Sequence, residues 1–159
     1  MEQLTLLKTP IKTCALTGHR ILGEDFDTAA LVSALETLIG EGVDTFYNGL
    51  AIGFDLVSAE EIIKLKKKYP FLRLVGCMPF YGQEKNYSAD EKRRYAEIVK
   101  NCDEVVVIAE HYYKGCFLKR NDYLCERADA LLAYQRSEKG GTAYTVKKFK
   151  KTGGKIILL

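Results

Sequence analysis

No apolar run in this 159-residue chain reaches the roughly 20 residues that a bilayer-crossing helix needs. Its start, MEQLTLLKTPIK, has no charged head leading into a long apolar stretch. No signal peptide is therefore expected, and the cytoplasm is the expected compartment. The five cysteines (Cys14, Cys77, Cys102, Cys116, Cys125) are odd in number and never form CxxC. That argues against a disulfide framework and against a structural zinc site, and leaves buried small hydrophobes as the plain reading. Two histidines without clustered cysteines argue against a transition-metal centre, so no metal is assigned. An excess of one charge is missing too. Against 24 basic residues stand 21 acidic ones, a balance of +3 that does not by itself predict nucleic-acid binding. The lysine-rich runs at 64–69 (KLKKKY) and 147–151 (KKFKK) fall late in predicted helices, where the dipole favours cations and a solvated end is the default. No repeat, low-complexity tract, linker or heptad is present, which leaves self-association open.

What is present is alternation. Hydrophobic content of 47% and charged content of 28% are ordinary for a globular protein, and one domain over 1–159 is the simplest organisation. Six short apolar segments, 13–17, 44–48, 71–77, 103–108, 129–134 and 155–159, read as strands. They are continuous rather than alternating, as strands covered on both faces are. Between them lie helical patterns at 28–41, 55–68, 88–101, 117–127 and 141–152; in the first, Leu31, Leu35, Leu38 and Ile39 share a face. The expected fold is α/β: a single doubly wound domain with a mostly parallel sheet of about six strands and helices on both faces.

In such a sheet the segments after each strand gather at the carboxyl edge, where ligands of open α/β folds bind. Those segments hold the unusual residues. After the first strand comes TGHR, in which Thr17 ends the strand, Gly18 permits a tight turn, His19 is a donor and Arg20 offers a planar fork for phosphate or carboxylate. After the second comes NGLAIGFD (48–55), where Asn48, Gly49 and Gly53 suggest close backbone approach to a ligand. Asp55 complicates a bare phosphate site, since a carboxylate repels phosphate. It is expected to cap the helix, bind a sugar hydroxyl, pair with Arg20 or hold a metal bridging to phosphate.

Pro79 and Glu84 stand in PFYGQEKNYS, whose aromatics are candidates to stack on a base or on an arginine; Ser88 and Glu91 have the spacing of a capping box. Arg120 and Asn121 follow the fourth strand and face either solvent or ligand. Gly140, Gly141 and Thr142 open the last helix as a candidate anion cradle, without the Gly-Lys-Ser/Thr ending of a triphosphate loop.

Taken together, TGHR, NGLAIGFD, PFYGQEKNY and the GGTA of the last helix resemble the YpsA-like branch of the SLOG superfamily, which also holds the DNA-processing protein DprA and the Lonely Guy phosphoribohydrolases. The resemblance implies a Rossmann-like domain that binds a nucleotide or nucleotide-derived ligand, of the NAD, ADP-ribose or nucleoside phosphate kind. Gly18, His19, Arg20, Gly49, Gly53, Asp55, Gly141 and Thr142 would form its walls. In the hydrolase branch a Pro-Gly-Gly-x-Gly-Thr-x-x-Glu signature carries a catalytic glutamate. Here, with Gly141-Thr142 on its Gly-Thr, Thr145 takes that position, and Lys139 rather than a proline precedes the Gly140-Gly141 pair, which counts against that activity. The expectation is a sensor or regulatory domain, with a nucleotide or N-glycoside hydrolase second and single-stranded nucleic acid binding third.

Overall fold

The computed structural model describes residues 10–159. Six strands, β1 (Thr13–Gly18), β2 (Thr45–Asn48), β3 (Arg73–Met78), β4 (Glu104–Val107), β5 (Ala130–Tyr134) and β6 (Lys155–Leu158), form one sheet. Its order is β4-β3-β2-β1-β5-β6, and every pairing is parallel. Five α-helices connect them: α1 (Thr28–Gly40), α2 (Phe54–Leu65), α3 (Ala89–Asn101), α4 (Cys116–Arg127) and α5 (Gly141–Lys150). One 3-10 turn, Gln83–Asn86, precedes α3.

Alternation along β1 sorts the two layers. Cys14 and Leu16 belong to a core shared with Leu31, Leu35 and Leu38 of α1, Leu56 and Ile62 of α2, and Tyr95 and Ile98 of α3. Ala15 points the other way, toward Leu124 and Cys125 of α4 and Val146 and Phe149 of α5. Burial pushes the Cys77 thiol up to about 12, and the Cys14 thiol likewise up, so both behave as small hydrophobes. No helix among the described residues is long and apolar enough to cross a membrane.

The topology fixes where a ligand would sit. The chain steps outward from β1 to β4 with α1, α2 and α3 on one face. It then returns to the other side of β1, with α4 and α5 on the opposite face. Direction and face both reverse between β1 and β5, which opens a crevice beyond their carboxyl ends. The predicted capping box is present: Ser88 accepts from the Glu91 amide, and Glu91 accepts from the Ser88 amide. Asp27 caps α1 through the Ala29 amide at 2.9 Å.

Candidate functional site

A cleft of about 370 Å³ lies at the crevice between β1 and β5. Thr17, Gly18, His19 and Arg20 at the end of β1 form one side, and Asp55 with Ala51 the second. The first turn of α4, with Phe117, Leu118, Arg120 and Asn121, forms the third, and Gly141 and Thr142 of α5 close it.

Its electrostatics come first from the helices. Both α4 and α5 start at a glycine in a positive-φ conformation, Gly115 (φ 98°) and Gly140 (φ 97°), and neither has a side-chain cap. The Cys116 amide is taken by the Tyr113 carbonyl (3.0 Å), but the following N–H groups of α4, the first of α5 and the positive ends of both dipoles are open to an anion. Arg120 adds a buried cation: its Nη1 donates to the carbonyl of Gly49 (2.5 Å) and of Cys77 (3.4 Å), and its Nε to Asn121 Oδ1 (2.8 Å). Burial pushes the Arg120 pKa down, and the Asp55 carboxylate opposes that. Arg20, by contrast, is exposed, and its guanidinium rests over the Phe117 ring, 5.2 Å from the centroid. His19 Nε2 accepts from the Arg136 amide at 2.7 Å, which leaves the proton of a neutral imidazole on Nδ1.

Asp55 is only 6% exposed. Its Oδ2 accepts from the Ala51 amide at 3.2 Å, and its Oδ1 has no hydrogen-bond partner. Burial raises its pKa from 3.8 to about 6, against the opposing pull of Arg120, the Ala51 amide and Arg20. Two of its expected roles are overturned. The cap position of α2 belongs to Gly53, with Asp55 inside the helix, and no ion pair within 4.0 Å joins Asp55 to Arg20 or Arg120. What is left is a buried acceptor at the cleft.

Asn48, Gly49, Leu50 and Phe54 of NGLAIGFD face inward. Asn48 is fully buried, donating to the Asp55 carbonyl (2.9 Å) and Ser58 Oγ (3.1 Å) and accepting from the Leu50 amide (2.8 Å). Leu50 sits in the left-handed region (φ 60°), and its carbonyl accepts from Gln83 Nε2 (2.9 Å) and the Tyr87 hydroxyl (3.0 Å). A side chain at Gly49 would start 2.8 Å from the Arg120 guanidinium carbon and 2.9 Å from Asp55 Oδ2. At Gly53 (φ 78°) it would run into the backbone of His19 and Arg20, and at Gly18 into the Phe54 ring. These glycines admit other parts of the protein.

Pro79 is buried just past β3, and Glu84 lies in the 3-10 turn; neither reaches the cleft wall, nor do Asn48, Gly49 or Gly53. Gly140 caps α5 beside the cleft with open space around it. Phe117 is a wall residue that the sequence pattern does not single out, although its spacing of three from Arg120 puts both on one face of α4.

A family model described as YpsA, the YspA SLOG family, matches residues 27–156. The chain belongs to this family. Among its relatives, a UPF0398 protein of Halalkalibacterium halodurans is 29% identical over 95% of this chain and 82% of its own length. A UPF0398 protein of Bacillus cereus strain B4264 is 32% identical over 90% of this chain and 85% of its own length. Two solved structures share the fold. One is the DNA processing protein A of Helicobacter pylori, studied for its single-stranded DNA binding mode, with a TM-score of 0.68 and 20% identity over 97% of this chain and 67% of that one. The other is that of Streptococcus pneumoniae, with a TM-score of 0.68 and 16% identity over 93% of this chain and 50% of that one.

Proposed function

We propose that the cleft binds a nucleotide or nucleotide-derived ligand and that the protein serves as a sensor or regulatory domain for it. The observation that carries this reading is the meeting of two uncapped helix N-termini with Arg20 and Arg120 around one cleft. Gly141, Thr142 and the start of α4 suit a phosphate, Arg20 supplies an exposed fork for it, and Asp55 is an acceptor for a sugar hydroxyl. The test is thermal unfolding with nucleoside monophosphates, NAD and ADP-ribose. A ligand at 100 times its Kd adds about 2.7 kcal/mol, or roughly 5–10 °C for a chain of this size. Arg20→Ala should remove that gain. No change in unfolding temperature with any of these compounds at millimolar concentration overturns the reading.

One observation favours a second reading, hydrolysis of a nucleotide or of its N-glycosidic bond. Asp55, buried and with a pKa of about 6, has the properties of a general acid or base at neutral pH. Thr145 weighs against it: its hydroxyl is buried and donates to the Gly141 carbonyl within α5, and it supplies no carboxylate. Chromatography after incubation with nucleoside monophosphates and NAD decides, since a lack of product at high protein concentration rejects it for those substrates.

Strand binding of the DprA kind finds less support. The lysine runs lie at the C-terminal ends of α2 and α5, at the sheet edge opposite the cleft. Lys64, Lys66, Lys68 and Lys148 are already paired with Glu61, Asp103, Glu36 and Asp122.

A further inference from the structure

The phosphate reading leaves one wall of the cleft unused. Phe117 meets Phe80 edge-on (5.9 Å, 81°) and Tyr112 at 6.3 Å; Phe80 and Tyr112 meet at 5.6 Å. The three rings come from the segments after β3 and β4 and from the first turn of α4, and they form a cluster outside both cores. Tyr112 stays 60% exposed, and Tyr81 and Tyr113 beside these rings in sequence are exposed as well. Packing alone does not call for large rings in that place, because a buried cluster would remove them from water. Two guanidiniums lie over the Phe117 ring: buried Arg120, and nearer to it Arg20, an exposed cation without a carboxylate within 4.0 Å among the described residues. Such a contact is weak and readily exchanged for a stacked ring.

The wall also lies close to the proposed phosphate site. Asn121 joins the two: its Nδ2 is 3.6 Å from where a side chain at Gly141 would start, and its Oδ1 accepts from Arg120. The Arg120 guanidinium carbon is in turn 5.9 Å from the Phe117 centroid. These short links put the aromatic wall and the start of α5 within the span of one nucleotide.

We propose that the heteroaromatic base of the ligand stacks on the Phe117 face that Arg20 covers, and that Arg20 turns to the phosphate when the base enters. The inference rests on the nucleotide reading and assigns the end of the ligand that the phosphate groups do not. The ligand class is then a mononucleotide or a larger compound with a terminal nucleotide, and not a sugar phosphate.

Calorimetric titration of the full chain with AMP, ribose 5-phosphate and inorganic phosphate tests it. AMP should bind at least about tenfold more tightly than ribose 5-phosphate, a difference of about 1.4 kcal/mol. Phe117→Leu, which keeps apolar bulk but loses the ring face, should erase most of that difference while leaving ribose 5-phosphate affinity within about twofold. The chain has no tryptophan, so Phe117→Trp supplies a lone indole fluorophore that AMP should quench and ribose 5-phosphate should not. This second variant guards against a folding defect in the first. Equal affinity for AMP and ribose 5-phosphate overturns the stacking wall and leaves the phosphate cleft standing. So does an AMP preference that survives in Phe117→Leu. Failure of all three probes overturns the wall, and the cleft reading falls with it when NAD and ADP-ribose also fail to raise the unfolding temperature; binding of an oligodeoxynucleotide in a parallel titration where AMP fails replaces the mononucleotide by a nucleic acid strand.

Discussion

Replacing Asp55 by asparagine should stabilise the protein at pH 7.5, and the gain should shrink as the pH falls. The group loses its proton near pH 3.8 when unfolded and at about 6 when folded, because burial raises the folded value and Arg120, the Ala51 amide and Arg20 only partly offset it. Raising a carboxyl pKa by one costs its ionised form about 1.4 kcal/mol, so holding this carboxylate ionised in the fold costs about 3 kcal/mol. Between the two values the folded state binds the extra proton, so stability from this group is fullest below about pH 4. It declines as the pH rises to about 6 and is level above that. Between pH 4.5 and 7.5 the wild type should lose about 2 kcal/mol from Asp55 alone. Asparagine never ionises, and its Oδ1 can still accept from the Ala51 amide.

Denaturant unfolding of both proteins at the two pH values, with equal m-values as a check on two-state behaviour, isolates the effect, because every other titrating group cancels in the difference. The stability of Asp55→Asn relative to wild type should rise by about 2 kcal/mol from pH 4.5 to 7.5. A variant less stable than wild type at pH 7.5, with the deficit closing toward pH 4.5, would refute the reasoning. The carboxylate would then be held ionised by Arg120, and Asp55 would be a structural ion-pair partner. A carboxyl titration followed by NMR gives the pKa directly.

Gly49→Ala places a methyl group against the Arg120 guanidinium and Asp55 Oδ2. It should cost about 1–3 kcal/mol in urea unfolding and lower ligand-induced stabilisation as Arg120 is displaced; an unchanged protein would mean that this packing does not position Arg120. Neutralising the second lysine run by Lys147→Gln with Lys150→Gln should leave nucleotide-induced stabilisation unaltered, because both residues lie in the last turn of α5, away from the cleft. Loss of that stabilisation in the double variant would move the ligand to the other edge of the sheet.

The fold was legible because its signal is local. Continuous apolar runs such as ALLAY in β5, with helical stripes between them, suffice to indicate a parallel sheet covered on both faces. Each observed strand starts and ends within two residues of its expected bounds, the widest gap being at the start of β3, where Arg73 rather than Phe71 opens the strand. Spatial order is not local. Nothing in the sequence pattern states that the chain returns from β4 to pair β5 with β1, and that return decides which carboxyl-edge segments share a cleft. The segments after β1 and β5, with α4 crossing over β1, line the switch point. The segment after β3, equally rich in polar and aromatic residues, mostly lies to one side. There Gln83 and Tyr87 grip the Leu50 carbonyl. Composition therefore draws Pro79 and Glu84 into the candidate site, and the irregular pattern of α4 leaves Phe117 out.

The glycines show why residue type alone underdetermines a site. A missing Cβ signals close approach without naming what approaches. In NGLAIGFD it is the protein itself: Arg120 and Asp55 at Gly49, and the His19–Arg20 backbone at Gly53. The consequence for binding is indirect but not smaller. Gly49 lets a cation and a carboxylate from distant parts of the chain approach one backbone segment without forming an ion pair, and Gly53 lets α2 begin directly under the residue that carries the exposed arginine. A phosphate can then meet the positive ends of α4 and α5, and Asp55, with its pKa raised to about 6, takes up a proton beside it at about 1.4 kcal/mol at pH 7, against about 4 kcal/mol for a carboxyl with the ordinary pKa. The acidic residue that argued against a phosphate cradle is compatible with one because burial makes it easy to protonate.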